Sequence, residues 1–126
     1  WFGVIAMLIG LGEEIAADAM DVEGDRLSGS RSLAVVLGAK KALRISGAIF
    51  VLVVLISAIP FVAGWLGGIY LFPIAIMDGV ILYSTARMMG ATNAQGRRYI
   101  RWIYLGGLLA IVLFIFLRLM EGGSNG

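Results

Sequence analysis

Four carboxylates, Glu14, Asp18, Asp21 and Asp25, follow one another at intervals of four, three and four residues. On an α-helix that spacing sets all four along a single stripe. Like charges stacked this way repel, and these stand directly behind an apolar run, where a carboxylate is already expensive. The arrangement calls for a cation. The sequence has no Cys and no His, which removes thiolate and imidazole ligands and the Ser/His and Cys/His dyads of nucleophilic catalysis. A metal here sits on oxygen, so Mg²⁺ and Ca²⁺ are the candidates, and Mg²⁺ is typically held by one or two carboxylates with water and substrate phosphates. The D-x-x-x-D pair Asp21 and Asp25 is the smallest form of such a site. The plain alternative is a solvated helix end whose acids pair with Arg26, Arg31, Lys40 and Lys41. Four aligned acids behind an apolar run weigh against it.

After Asp25 the chain turns small, polar and basic, Arg26-Leu-Ser-Gly-Ser-Arg-Ser32, and then reaches Lys40, Lys41 and Arg44. Metal-holding carboxylates beside a cationic loop suit a polyanion that carries its own Mg²⁺, because the metal bridges phosphate to carboxylate while Arg and Lys neutralise the other oxygens. A diphosphate has this chemistry. Next to a bilayer the amphiphilic choice is a polyprenyl diphosphate, with its tail among the helices. Lys40, Lys41 and Arg44 serve equally well as anchors for anionic lipid headgroups.

The elements that must position these residues are membrane helices. Of the 126 residues, 60% are apolar and 14% charged, with a mean hydropathy of +0.97; a soluble domain carries about 45–50% and about 25%. Residues 45–63, 69–86 and 102–119 each form a run long enough to cross roughly 30 Å of hydrocarbon. Residues 1–12 are apolar but too few, and read as the second half of a helix. The expected class is all-α, a multi-span transmembrane bundle with about four helices in this chain: residues 1–20 a helix with an acidic face, 21–44 a loop capping the site, 45–119 three spanning helices and 120–126 an unstructured tail. A start at Trp1 without Met, and with no signal-peptide pattern, reads as part of a longer polypeptide.

Basic residues concentrate in 20–44 and 87–101, whereas the turn over 63–68 has none. The positive-inside rule therefore puts the acids and both basic segments on the cytoplasmic side, and the expected location is the plasma membrane. Arg97, Arg98 and Arg101, interleaved with Tyr99 and Trp102, fit an interfacial belt more simply than a nucleic-acid surface, and no nucleic-acid partner is expected. Pro60 and Pro73 are expected to bend their helices locally. Asp78 lies inside a span, which makes it a further site candidate or a hydrogen-bond acceptor between helices, with Tyr83 and Ser84 as neighbours. Gly106 and Gly107 read as a close helix contact.

The run Asp18-Ala-Met-Asp-Val-Glu-Gly-Asp-Arg-Leu-Ser-Gly-Ser-Arg-Ser-Leu33 resembles the second aspartate-rich motif of the UbiA superfamily of intramembrane prenyltransferases, approximately D-x-x-D-x-E-G-D-R-x-x-G-x-[KR]-[ST]-L with a Gly further on. Asp18, Asp21, Glu23, Gly24, Asp25, Arg26, Gly29, Arg31, Ser32, Leu33 and Gly38 match it. The resemblance implies a nine-helix bundle in which two such motifs, one in each half, bind a prenyl diphosphate through Mg²⁺, this chain being the C-terminal half. It also implies Asp21 and Asp25 as metal ligands, Asp18 as a third acid near the metal or acceptor, and Arg26, Arg31 and Lys40 as diphosphate contacts. Glu14 or Asp18 would help deprotonate the acceptor. The first motif, N-x-x-x-D or D-x-x-x-D, is absent: Asn93 is the only Asn outside the tail and has no acid four residues on, so the partner half must supply it. Relatives with lipid or aromatic acceptors often carry Lys just before the first Asp, where this chain has Ala17. Glu14-Ile15 with Asp21-Val-Glu-Gly-Asp25 looks closest to archaeal enzymes that add geranylgeranyl to the lipophilic acceptor geranylgeranylglyceryl phosphate in ether-lipid synthesis. Aromatic, chlorophyll and quinone-pathway prenyl transfer is the neighbouring alternative, and a non-enzymatic cation-binding transporter subunit the competing class.

Overall fold

The computed structural model describes residues 1–124 and the side chains of residues 1–122. It contains α1 (Phe2–Met20), α2 (Val22–Leu27), α3 (Leu33–Leu37), α4 (Ala39–Ser57), α5 (Ile59–Val62), a 3-10 turn (Gly68–Tyr70), α6 (Leu71–Met88) and α7 (Asn93–Ser124). There is no strand among the described residues. Three segments, Ala39–Val62, Gly68–Met88 and Asn93–Gly122, are long and apolar enough to cross a membrane.

The four long helices close into one bundle: α1 packs on α4 and α6 on α7, while α1 also meets α7 and α4 meets α6. Phe50, Val53, Ile81, Met88 and Ile103 are sealed from solvent at its centre. Association of membrane helices depends on close packing rather than on water exclusion, and small residues provide it here. A Cβ on Gly12 would stand 2.8 Å from the Phe50 ring, and one on Gly106 2.8 Å from Val80. The Gly12 carbonyl accepts a 2.7 Å hydrogen bond from the buried Ser46 hydroxyl. At one end of the bundle the Met20 side chain lies against Gly96 of α7; at the other, Trp1 meets Trp65 edge-on at 6.1 Å between ring centroids. Pro60 falls in the first turn of the separate α5, and Pro73 in the first turn of α6, where a missing N–H costs no helical bond.

The expected helix over residues 1–20 is α1, 19 residues and about 28 Å at the usual rise, reaching from the Trp65 turn to the acidic end. Three expectations change. The stripe is not one continuous helix, since the chain breaks at Asp21, which ends α1 and begins α2 with φ −133° and ψ 36°. Residues 21–44 are not a loop but hold α2, α3 and the start of α4. Gly29, at φ +74°, supplies the left-handed turn after α2, and the Ser32 hydroxyl accepts from the Val35 amide at 3.4 Å to cap α3. Finally, α7 continues past residue 119 because Glu121 accepts a hydrogen bond from Tyr70 and pairs with Arg118 at 3.8 Å, tying its last turns to the 3-10 turn. The expected tail is thus helical to Ser124, and its residues 125–126 lie outside the described residues.

Candidate active site

α1 has two faces of opposite purpose. Ile5, Gly12, Ile15, Ala16, Ala19 and Met20 are buried in the bundle. On the other side Val4, Met7 and Leu11 are exposed, and the same three-and-four spacing carries that stripe on through Glu14 and Asp18 to Asp21. The result is an apolar track that becomes acidic over its last two turns, turned away from the core of the bundle.

The sequence-predicted acids gather at the end of that track. Glu14 and Asp18 lie on α1, Asp21 at the break and Asp25 in α2. The Asp21 carboxylate rests over Gly24, where a Cβ would stand 2.7 Å from Oδ1; the missing side chain is what lets the carboxylate lie there. Asp25 Oδ2 is buried with no hydrogen-bond partner. Partial burial, with Asp25 and Glu14 close by, holds the Asp18 carboxyl above the usual aspartate range. Among the described residues the only ion pair is Arg118 with Glu121, so none of these acids is neutralised by Arg26, Arg31, Lys40 or Lys41. Of the solvated, salt-bridged helix end that composition allows, the salt bridges are not formed among the described residues, while Glu14 and Asp21 are exposed.

An orphaned Asp25 oxygen, an Asp21 carboxylate cradled on a glycine and an Asp18 crowded by its neighbours fit a hard cation. Among the described residues no three acidic side chains converge closely enough to enclose one. The donors present suit the sparse protein ligation of Mg²⁺, completed by phosphate and water. Arg26, Arg31 and Lys40 are all exposed beside this end.

Asp78 is held elsewhere. Its Oδ2 accepts from the Ser57 hydroxyl at 2.7 Å, across the α4–α6 contact, and Oδ1 is buried without a partner. It belongs to helix packing within the bundle and not to the acidic track. The sequence reading passed over Glu13, whose Oε1 is also buried and unpartnered. Its signal was the Glu13-Glu14 doublet: consecutive residues point about 100° apart on a helix, so only one joins the outward stripe and the other must turn toward the bundle.

The electrostatics of Asp18 give an expected result. A carboxyl that keeps its proton to higher pH when folded lowers stability as pH rises through its folded value, because the unfolded chain has already released that proton. Asp18→Asn removes this penalty. In metal-free full-length protein the variant melts slightly above wild type at neutral pH, and the gain vanishes below the ordinary aspartate range. The shift is small, since Asp18 is mostly solvated. Thermal unfolding with a chelator at pH 7 and near pH 2.5 measures it; an equal or lower melting temperature at pH 7 would contradict the crowding.

A family model described as the UbiA prenyltransferase family matches residues 1–105. The chain is 39% identical over 89 residues to the digeranylgeranylglyceryl phosphate synthase of Methanoregula boonei, covering 71% of this chain and 31% of that protein. It is 34% identical over 122 residues to the protein of the same name from Halobacterium salinarum, covering 94% and 42%. A third, from Pyrococcus furiosus, is 27% identical over 122 residues, covering 97% and 43%. The chain therefore spans about a third to two-fifths of the length of the curated relatives it matches. No solved structure matches it.

Proposed function

The chain belongs to the UbiA prenyltransferase family, and from that premise we propose that it is the C-terminal half of an integral membrane enzyme that transfers a prenyl group from a polyprenyl diphosphate to a lipophilic acceptor. The observation that carries this reading is the outward face of α1, on which exposed Val4, Met7 and Leu11 lead into acids that form no ion pair with Lys or Arg among the described residues. An amphiphilic diphosphate has the matching shape, a hydrocarbon tail ending in a metal-bound polyanion. Asp21 and Asp25, with Asp18 as a third acid, would hold Mg²⁺. When bound, that ion supplies positive charge against the leaving diphosphate.

The remaining steps rest on the chain's own residues. Arg26, Arg31 and Lys40 neutralise diphosphate oxygens that the metal leaves free. The allylic carbon–oxygen bond breaks with its electron pair going to the diphosphate, an acceptor oxygen bonds to that carbon, and the acceptor's proton leaves. Glu14 or Asp18, at the same end of α1, would help to take it. Apolar surface around the tail limits capture by water. The other half contributes a second acidic motif. Basic residues at the acidic end, with none in the turn over 63–68, orient the site toward the cytoplasm of the plasma membrane.

We favour geranylgeranyl diphosphate as donor and geranylgeranylglyceryl phosphate as acceptor, on the names of the relatives. The test is a transfer assay on full-length protein with labelled geranylgeranyl diphosphate, Mg²⁺ and a panel of glyceryl-phosphate, aromatic and chlorophyll-type acceptors. Product with the glyceryl phosphate alone supports the ether-lipid reading, and product with another acceptor reassigns the acceptor while keeping the transferase. Cation binding with no diphosphate bound or consumed would favour the transporter reading.

A further inference from the structure

Where α6 ends and α7 begins, Ala86, Arg87, Gly90, Ala91, Gln95 and Tyr99 line an open cleft of about 270 Å³. We propose that this cleft binds the phosphate of a lipid headgroup, apart from the carboxylates of α1 and α2.

Every polar side chain in the wall has hydrogen left to give. Arg87 Nε donates to the Tyr99 hydroxyl at 3.3 Å, which leaves both terminal amino groups of the guanidinium for a ligand. That hydroxyl oxygen is accepting, so its own hydrogen is free. Gln95 Oε1 accepts from the Thr92 amide at 3.3 Å, reaching back to the start of α7 as the third residue of a helix does in a capping box. Only the oxygen of the Gln95 amide can receive that N–H, so its NH2 group keeps two donors. The Tyr83 ring meets Tyr99 edge-on at 6.4 Å between centroids and holds the phenol in place. No carboxylate answers these donors from nearby sequence, since residues 79–120 contain no Asp and no Glu. Among the described residues the only ion pair is that of Arg118 with Glu121, so Arg87 has no counter-ion there. A cleft whose side chains only donate suits an oxyanion, and a forked guanidinium suits phosphate.

Depth makes the phosphate a lipid's. The cleft joins two of the segments long and apolar enough to span, and Tyr83, Tyr99 and Trp102 with Arg97, Arg98 and Arg101 form an aromatic and basic belt around it, as at a membrane–water interface. Headgroup phosphates lie at that level, and exposed Arg97, Arg98 and Arg101 attract anionic lipid toward it. At about 30 Å³ per water the cleft has the room of roughly nine waters, enough for a phosphate and part of its glycerol. A Cβ on Gly90 meets nothing within 4 Å, so that side is open to an entering group. Two lipids carry the same phosphate, a bilayer phospholipid and the glyceryl phosphate acceptor. The second source rests on the transferase reading, and the acidic end is close by: Met20, next to Asp21, lies against Gly96, next to Gln95.

Three variants test the site in full-length protein. Arg87→Gln removes the charge and the fork. Tyr99→Phe keeps the ring but removes the free hydrogen and the Arg87 contact, and Gly90→Leu fills the open side with every donor intact. Binding of dioleoyl phosphatidic acid and of geranylgeranylglyceryl phosphate is titrated by native mass spectrometry in mild detergent, with dioleoylglycerol as the phosphate-free control. Wild type is expected to bind the phosphate lipids in preference to the control, and Arg87→Gln to weaken that binding about 10- to 100-fold. Tyr99→Phe and Gly90→Leu are expected to weaken it in the same direction. Transfer kinetics then identify the source: a KM for the glyceryl phosphate raised tenfold or more, with the KM for prenyl diphosphate unchanged, assigns the cleft to the acceptor. Weakened lipid binding with both KM values unchanged assigns it to a bilayer phospholipid. Equal phosphate-lipid binding in wild type, Arg87→Gln and Gly90→Leu overturns the proposal. So does a raised KM for prenyl diphosphate, which would place the cleft in the donor site. A lower melting temperature of Arg87→Gln with lipid binding unchanged also overturns it, giving Arg87 a carboxylate partner elsewhere in the full-length chain. Lipid titration needs no turnover, so failure of the transferase reading shows up separately.

Discussion

Asp25→Ala in full-length protein is expected to lower Mg²⁺-dependent prenyl transfer by on the order of 10³-fold, the scale of losing one preorganised electrostatic group at a reacting centre, with no fall in melting temperature. The two halves of that expectation come from the same atom. Asp25 Oδ2 is buried and has no hydrogen-bond partner, so truncating the side chain removes an unrelieved polar group and breaks no internal bond of the fold. The same oxygen is a free ligand position, whereas Glu23 is exposed. Asp25→Asn separates charge from shape: it keeps the size and one oxygen but not the negative charge, and its activity should sit near that of the alanine variant. Asp21→Ala should behave alike, although its carboxylate packs over Gly24 and its loss also loosens the α1–α2 break. The measurements are single-turnover transfer with saturating diphosphate over a Mg²⁺ titration, and thermal unfolding without metal. Activity within tenfold of wild type at every Mg²⁺ concentration would remove Asp25 from the metal site.

Much of this site could be read from spacing. The intervals between Glu14, Asp18, Asp21 and Asp25 predicted a shared face, and Val4, Met7 and Leu11 extend it backward by the same rule. Charge asymmetry about the turn over 63–68 and the three apolar runs gave the helix order. What spacing did not carry was the break at Asp21. Its cause is local: Val22-Glu-Gly-Asp25 has the period of a continuing helix, and only the seating of the Asp21 carboxylate on Gly24 marks where the axis turns. The length of α1 was legible, the expected helix over residues 1–20 being Phe2–Met20; a hydropathy reading alone stops at the first carboxylates, while backbone hydrogen bonding does not, since acids at a membrane surface remain solvated on their outer side. The pairing of Ser57 with Asp78 and of Tyr70 with Glu121 joins residues 21 and 51 positions apart, and no local pattern encodes such partners.

Gly12→Leu should destabilise the full-length protein by about 1–3 kcal/mol, the usual cost of overpacking, and lower kcat by roughly 10²-fold without altering a group that touches substrate. Any Cβ at position 12 meets the Phe50 ring at 2.8–3.2 Å, and Phe50 is wholly buried, so the ring has nowhere to swing and α1 must move off α4. That movement also stretches the 2.7 Å bond from Ser46 to the Gly12 carbonyl, worth about 0.6 kcal/mol for an average interhelical bond in a membrane. Because the acids ride on the opposite face of the same rigid helix, a displacement of about 1 Å at Gly12 is passed to Glu14 and Asp18, and misplacement on that scale costs about 10²-fold in rate. Two companions separate the causes. Ser46→Ala loses only the hydrogen bond, so its melting temperature should fall slightly and its kcat should hold. Gly12→Leu/Phe50→Ala gives the new side chain the space of the ring, so the double variant should recover more stability and more kcat than the sum of the single effects allows. A strictly additive cycle in both quantities would mean that the Gly12–Phe50 contact does not position the acidic face.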